Sequence, residues 1–225
     1  MELNTFSIAA HDPIDGGFGV AVSTARPCVG TLVPFVSLGG AIATQARVNT
    51  DLGRQGLVLL AQDVPLELAL STLLAEDGDS ELRQLHGVTQ TANFVFTGAE
   101  CVEWCGHHSG DGFTVAGNML AGPQVIEAMA DAFTQARQSG EELSECLVQT
   151  MLAGQAAGGD KRGKQSAALL IASPEPRMYH NLRVDDHKTP IAELRRIHDL
   201  VVEQSRQIEQ EYGAEGLRLF SQIKI

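Results

Sequence analysis

Residues 5–24 read Thr5-Phe-Ser-Ile-Ala-Ala-His11, Asp12-Pro-Ile-Asp-Gly-Gly17 and Phe18-Gly-Val-Ala-Val-Ser-Thr24. The two outer runs carry β-branched and aromatic residues, which suit a pleated strand. The middle run holds one Pro, two Asp and two Gly, residues that set the dihedrals of a reversal. The stretch therefore predicts an antiparallel hairpin. Working outward, residues 31–37 and 40–46 read as two more strands meeting at Gly39-Gly40. Residues 53–76 read as helix, split near 63, with Asp63 as a plausible N-cap and Pro65 in the first turn of the second piece. The segments Leu-His-Gly-Val-Thr-Gln, Ala-Asn-Phe-Val-Phe-Thr-Gly, Cys-Val-Glu-Trp-Cys and Phe-Thr-Val-Ala-Gly within 85–117 return to strand. Pro123 begins a helix with Val125, Ile126, Met129 and Phe133 on one stripe, and a second helix, about 141–156, stacks Leu143, Leu147, Met151 and Gly154. Strands follow at 165–172 and roughly 178–184. An amphipathic helix closes the pattern from 190 to about 211, with Ile191, Leu194, Ile197, Val201, Ile208 and Tyr212 on its apolar stripe. Strands grouped in hairpins and helices grouped together argue for an α+β arrangement, antiparallel sheets with helical layers outside them.

Composition narrows the class of protein. The chain has 225 residues, 44% of them hydrophobic, 20% charged and only 5% aromatic, with 23 glycines. That length fits one domain over 1–225, and small residues between larger apolar ones suit closely stacked sheets. The formal net charge is −12, which repels phosphate backbones and anionic lipid and so excludes nucleic acid and membrane surfaces as first partners. Cys28, Cys101, Cys105 and Cys146 are too few for a disulfide scaffold in a chain of this size. Met1-Glu2-Leu3-Asn4 opens without a basic or an apolar leader region, and no apolar run approaches about 18 residues. These features predict a reduced, cytoplasmic protein.

Several local patterns could carry chemistry. Gly158-Gly-Asp160-Lys161-Arg162-Gly163-Lys164-Gln165-Ser166 nearly fits G-x-x-x-x-G-K-[ST], but Gln165 stands where the magnesium-binding hydroxyl belongs. The loop also follows a helix and opens a strand, the reverse of a nucleotide-binding loop. It reads either as an exposed turn or as a polar loop delivering Asp160, Lys161 and Arg162 to a pocket rim. Cys101-Val-Glu-Trp-Cys105-Gly-His107-His108 puts 101, 105 and 107 on one face of a strand and invites zinc, yet no second Cys/His pair closes such a site. The commoner reading is buried Cys acting as a small hydrophobe, and no metal is expected. Asp185-Asp186-His187, after Asn181-Leu-Arg183, reads as a cation or acid–base site, or as a salt-bridged strand end capping the helix at Pro190. Gly117-Asn118-Met-Leu-Ala-Gly122 is either a plain turn into a helix or a device aiming an amide into a cleft as an oxyanion donor. G-x-S-x-G, H-E-x-x-H and EF-hand patterns are absent.

Taken in order, Thr5-Phe-Ser-Ile8, Gly19-Val-Ala-Val-Ser23, Ala43-Thr-Gln-Ala46, Gly117–Gly122, Gly158–Ser166 and Leu182-Arg-Val-Asp-Asp-His187 resemble the bacterial family catalogued as domain of unknown function 1028. The resemblance runs from Thr5 to about Arg196. It implies a fold like that of the N-terminal-nucleophile hydrolases, a four-layer αββα sandwich, and the chemistry of amide hydrolysis. In such enzymes a Thr, Ser or Cys attacks while its own α-amine serves as base. The resemblance places the nucleophile at Thr5, turns Ser23, Thr44 and Gln45 toward the cleft, makes Asn118 an oxyanion donor and gives Asp160 and Arg162 the orientation of substrate. Lys161, Gln165, Arg183, Asp186 and His187 complete the candidate substrate-binding set. Two features depart from the pattern. Thr5 is preceded by Met1–Asn4, so its amine needs scission of Asn4-Thr5, and no Lys precedes Lys161.

The expected activity is thus hydrolysis of a C–N bond in a small polar substrate, without a cofactor. One alternative is the same fold without N-terminal chemistry, acting as a ligand-binding protein or as a hydrolase through a different site, metal-assisted or not. A homo-oligomer assembled through the outer helices is also expected.

Overall fold

The computed structural model describes residues 2–3 and 5–221, with side chains over 5–213. In chain order the elements are β1 (Glu2–Leu3), β2 (Thr5–His11), β3 (Phe18–Thr24), β4 (Pro34–Ser37), β5 (Gly40–Arg47), α1 (Thr50–Leu60) and α2 (Leu66–Glu76). There follow β6 (Arg83–Val88), β7 (Asn93–Thr97), β8 (Gly106–Gly110), β9 (Phe113–Gly117), α3 (Gln124–Gln138), α4 (Leu143–Ala156), β10 (Ser166–Ala172), β11 (Asn181–Val184) and α5 (Pro190–Ser221). The predicted hairpin forms as β2 and β3, in register from Thr5 opposite Thr24 to His11 opposite Phe18. Its turn closes through Asp12 N–H to Gly17 O at 2.8 Å and Gly16 N–H to Asp12 O at 2.9 Å. Gly16 sits at φ 73°, a backbone that an L side chain resists.

Among the described residues the strands make two sheets. The first runs β1-β5-β6-β7, with β4 also beside β5, and the second runs β11-β10-β3-β2-β9-β8. All the pairings are antiparallel. The sheets stack on small and β-branched side chains: Ala9, Val20 and Val22 from one, Ala41, Ala43 and Val88 from the other. Outside the first sheet, Leu52, Leu60, Leu66 and Leu70 of α1 and α2 pack on Ile42, Leu85 and Phe94. Outside the second, Val125, Met129, Phe133, Leu147 and Met151 of α3 and α4 cover Phe6, Ile8 and Val115, joined by Ile191 and Leu194 of α5. The result is a helix–sheet–sheet–helix sandwich. Both faces of the central strands are covered, so β2 and β3 are buried throughout and show no alternation of exposure. Gly53 shows how closely α1 sits: a Cβ there would lie 2.1 Å from the Phe35 ring.

Several boundaries differ from the sequence reading. The Cys101–Cys105 segment is loop, and β8 begins only at Gly106. Val29–Thr31 is a short 3-10 turn, so β4 starts at Pro34. Met178–His180 is likewise a 3-10 turn ahead of β11. Asp63 is not an N-cap: it takes φ 60° in the link, Pro65 holds the cap position of α2, and Asn49 caps α1 by accepting from Asp51 N–H at 3.1 Å. The last helix extends to Ser221 but is interrupted at Gly213, and Tyr212 on its stripe is 61% exposed. The helix docks through its first turns, where Ile191 and Leu194 reach the core. Among the described residues no helix is long and apolar enough to cross a membrane.

Candidate functional site

Strand alternation sends Phe6, Ile8 and Ala10 toward α3 and α4, and sends Thr5, Ser7 and Ala9 toward the first sheet. The polar side chains there bond directly across the sandwich. Ser7 Oγ donates to Gln45 Oε1 at 2.6 Å and lies 2.8 Å from His86 Nε2. His86 Nδ1 lies 2.9 Å from Thr114 Oγ1. Gln45 Nε2 donates to Gln84 Oε1 at 2.7 Å, and Asn118 Nδ2 donates to the same oxygen at 3.2 Å. Gln84 Nε2 faces Thr97 Oγ1 at 2.9 Å, Gly106 O at 3.0 Å and Gly117 O at 2.9 Å. Thr97 Oγ1 meets His107 Nδ1 at 2.8 Å. Ser7, Gln45, Gln84, His86 and Thr114 are all fully buried. Buried polar groups are stable only when bonded, and this set is extensively bonded.

Thr5 stands apart. It is fully buried, at the head of β2, and its hydroxyl has no hydrogen-bond partner among the described residues. Its carbonyl oxygen accepts from the Asn118 N–H at 3.0 Å. Two strained backbones flank the neighbourhood: Ala46, next to Gln45, has φ 67°, and Met119, next to Asn118, has φ 51°. Non-glycine residues in that region cost roughly 1 kcal/mol or more each and cluster where surroundings force a side chain into place.

The Gly158–Gly163 loop reaches the same end of the sandwich. Asp160 bridges to Leu120, and its carboxylate accepts from Ala25 N–H at 3.2 Å and from Arg162 N–H at 2.8 Å. Ala25 follows Thr24, the register partner of Thr5. The Asp160 side chain is 1% exposed, with Arg162 Nε 3.9 Å away. Burial pushes its carboxyl above the usual carboxylate range, against the pull of those N–H groups and of Arg162 and Lys161. Lys161 Nζ donates to Glu103 O at 2.7 Å, tying this loop to the 101–105 loop.

The structure brings Thr5, Gln45, Asn118 and Asp160 to one end of the molecule and separates others from them. The expectation that Ser23 and Thr44 face the cleft is corrected. Ser23 lies opposite Phe6 and so faces the outer helices, its hydroxyl bonded to Ser166 O at 3.0 Å. Thr44 shares the face of Ile42, toward α1, and its hydroxyl bonds Asn49 O at 3.1 Å. Arg183 is held by Asp185 at 2.8 and 3.0 Å, which occupies its guanidinium. Gln165 Nε2 donates to Asp186 at 3.1 Å, and His187 Nδ1 accepts from Thr189 N–H at 3.0 Å just ahead of α5. Asp185, Asp186 and His187 thus form a bonded strand end. Cys101 Sγ donates to Arg83 O at 3.3 Å, and burial pushes its thiol up to about 11. Among the described residues no group of three His, Cys, Asp or Glu could hold a metal ion.

Sequence reading missed Ser7, Gln84, His86 and Thr114. Thr5 and Ser7, and likewise Gln84 and His86, are two apart and share a strand face, a signal present in the sequence. Starting the strand at 85 rather than at Arg83 hid Gln84. His86 does not act as a base at neutral pH. Burial holds it near pKa 3, helped by His107, and the Ser7 hydroxyl is already committed to Gln45. Two cavities lie at the opposite end of the sheets. One of about 430 Å³ is lined by Asp12, Glu142, Arg177 and Tyr179, and one of about 440 Å³ by His11, Asn93 and Arg137. None of the sequence-derived candidates lines either cavity.

Comparison with known proteins agrees with this geometry at the level of family and fold. The family described as "Family of unknown function (DUF1028)" matches residues 5–194. The chain is also similar to the crystal structure of protein SPO2555 from Silicibacter pomeroyi, a structure of the same family. The two are 31% identical with a TM-score of 0.81, over 92% of this chain and 91% of that one. No relative among the curated proteins matches.

Proposed function

The chain belongs to the DUF1028 family, and from that premise we propose that it is an amide hydrolase of the N-terminal-nucleophile type, with the Thr5 hydroxyl as attacking group. The observation that carries this reading is the fully buried Thr5 hydroxyl, which has no partner among the described residues. Leaving a buried hydroxyl unbonded costs roughly 1–3 kcal/mol, a cost that a valine of the same shape would avoid. A hydroxyl reserved for chemistry accounts for it.

The reaction runs in two stages. Thr5 Oγ1 attacks the carbonyl carbon of Asn4, the Asn4–Thr5 C–N bond breaks, and the resulting ester is hydrolysed by water. The products are a carboxylate on Asn4, the restored hydroxyl and a free α-amine on Thr5. Such an amine has a pKa of about 7.7–8.0, suited to accept the hydroxyl proton when Oγ1 next attacks a substrate amide. The amine then hands that proton to the leaving nitrogen, and water releases the acyl group. Asn118 donates to the oxyanion, and Gln45 is joined to Asn118 through the shared Gln84 oxygen. Asp160 holds the loop that carries Lys161 and Arg162. Arg162, whose only near anion among the described groups is Asp160 at 3.9 Å, takes a carboxylate on a small polar substrate.

One observation favours a second reading. Glu2 and Leu3 pair with Arg47 and Ala46 on the first sheet, which holds the segment ahead of Thr5 in place. With that segment retained, the same fold serves as a ligand-binding protein. The deciding experiment is the intact mass of freshly purified wild type and Thr5→Ala. The hydrolase reading expects a wild-type mass short by the residues ahead of Thr5 and a full-length variant. A full-length wild type overturns the Thr5 mechanism and leaves the binding reading.

A further inference from the structure

The amide of Gln84 can be oriented in only one way. One end of it faces two backbone carbonyls, Gly106 O at 3.0 Å and Gly117 O at 2.9 Å, neither of which can donate. That end must be the NH2 group, so the other end is the oxygen. An amide oxygen only accepts. Gln45 and Asn118, at 2.7 and 3.2 Å, must therefore both present N–H to it.

The constraint propagates. Gln45 spends its nitrogen on Gln84, so its oxygen faces Ser7, and Ser7 must donate its single hydroxyl proton. Ser7 can then only accept from His86, which places the imidazole proton on Nε2. His86 Nδ1 is left bare and accepts from Thr114. On the other side, the two NH2 protons of Gln84 are divided among Gly106 O, Gly117 O and Thr97 Oγ1, and the 2.8 Å contact between Thr97 Oγ1 and His107 Nδ1 can run in either direction. Two glycine carbonyls thus set the direction of the bonds that run from Gln84 to Asn118 and through Gln45, Ser7 and His86 to Thr114, with Gln84 as the element that transmits it. Gln84 also touches β5, β7, β8 and β9 at once, joining the two sheets beside the head of β2.

We infer that Gln84 is the positioning residue of the Thr5 site, which fixes Asn118 as a hydrogen-bond donor and leaves one of its Nδ2 protons, without a partner among the described residues, for a ligand beside Thr5. This deepens the Thr5 reading and rests on it for its catalytic consequence, although the orientation of Asn118 can be tested by itself. Without Gln84, Asn118 can rotate to present its oxygen, which repels an oxyanion. Gln84 itself touches no substrate.

The first measurement is on the side-chain amide protons of Asn118, by NMR of the full chain, with Asn118→Ala identifying the signal. In wild type the two protons should be resolved and at least tenfold slower to exchange than those of an exposed amide. Free-amide exchange in wild type overturns the inference, with no variant needed. In Gln84→Met, close in shape but unable to accept or donate as an amide does, the protection should vanish. An unchanged Asn118 signal in a folded variant overturns it too.

The second measurement is a double-mutant cycle on the rate of Asn4–Thr5 scission, read by intact mass well below the melting temperature. Gln84→Met should slow scission tenfold or more in wild type and less than threefold in an Asn118→Ala background. A merely structural role would slow both backgrounds equally, and that result overturns the inference. If wild type does not cleave at all, the Thr5 reading fails, and the exchange measurement still decides the role of Gln84.

Discussion

The backbone N–H of Asn118 donates to the carbonyl oxygen of Thr5 at 3.0 Å, one residue beyond the last register pair of β2 and β9, Phe6 opposite Gly117. The bond carries the sheet ladder past the strand and holds the loop residue against Thr5, whose hydroxyl has no partner among the described residues. Asn118 is thereby fixed twice, by its main chain to Thr5 and by its side chain to Gln84.

Thr5→Val separates stability from chemistry. It replaces a buried hydroxyl that has no partner among the described residues by a methyl of similar size. Chemical denaturation should show the variant at least as stable as the uncleaved parent, with a gain of about 1 kcal/mol. Scission at Asn4–Thr5, read by intact mass, should be abolished. A loss of 2 kcal/mol or more would show that the hydroxyl has a bonded structural role.

Acid should destabilise the fold well above the carboxylate range. His86 is held down to about 3 and His180 to about 4, both chiefly by burial. Each folded pKa lies below the unfolded value of about 6.5, so the unfolded chain binds more protons once pH drops below that value. The stability these neutral rings contribute is present above pH 6.5 and lost as pH falls toward 4 and then 3. Urea melts between pH 7 and 4.5 should show a declining midpoint. A flat profile to pH 4.5 would contradict the lowered pKa of both rings.

Asp77→Ala should cost about 1.5–3 kcal/mol, the range for hydrogen bonds to a charged group, because Arg83 keeps Asp79 Oδ2 at 3.4 Å. Arg83 grips Asp77 through Nε at 2.9 Å and Nη2 at 3.1 Å, and Asn49 adds a bond at 2.9 Å. Both side chains of the pair are under 10% exposed, at 8% and 9%. The Arg83 hydrogen bond holds the Asp77 carboxyl down to about 2, below its ordinary 3.8. The pair's contribution is therefore full above pH 3.8 and lost as pH falls through about 2. A thermal melt of the variant at pH 7 checks the magnitude, and a change under 1 kcal/mol would refute it.

Asp63→Gly should stabilise by about 0.5–1 kcal/mol. Asp63 is exposed, in the link between α1 and α2, with φ 60°, and its N–H bonds Leu60 O at 3.0 Å. Glycine keeps that main-chain bond and avoids the crowding of a Cβ in the left-handed region. Destabilisation on denaturant titration would mean that the side chain contributes more than the strained backbone costs.

The chain by itself determined the elements whose causes are local. Pro13, Asp15, Gly16 and Gly17 close the β2–β3 hairpin because their dihedral preferences act within a few bonds. Val125, Met129 and Phe133 mark a helix face because apolar spacing is a property of consecutive residues. From these came the grouping of strands and helices, and the ordered blocks from Thr5 onward pointed to the family. Tertiary structure alone decided which face of each strand is which. Alternation tells that Ser23 and Thr24 point opposite ways, but with both faces buried, exposure gives no sign to tell inside from outside, and Ser23 and Thr44 turned to the helices. The polar network was illegible for the same reason together with distance along the chain. Ser7 meets Gln45 and His86 across 38 and 79 residues, and Gln84 reaches Gly117 across 33. A hydrogen bond is satisfied by whatever donor the folded chain brings within about 3 Å, and the stacking of the two sheets determines which donors those are.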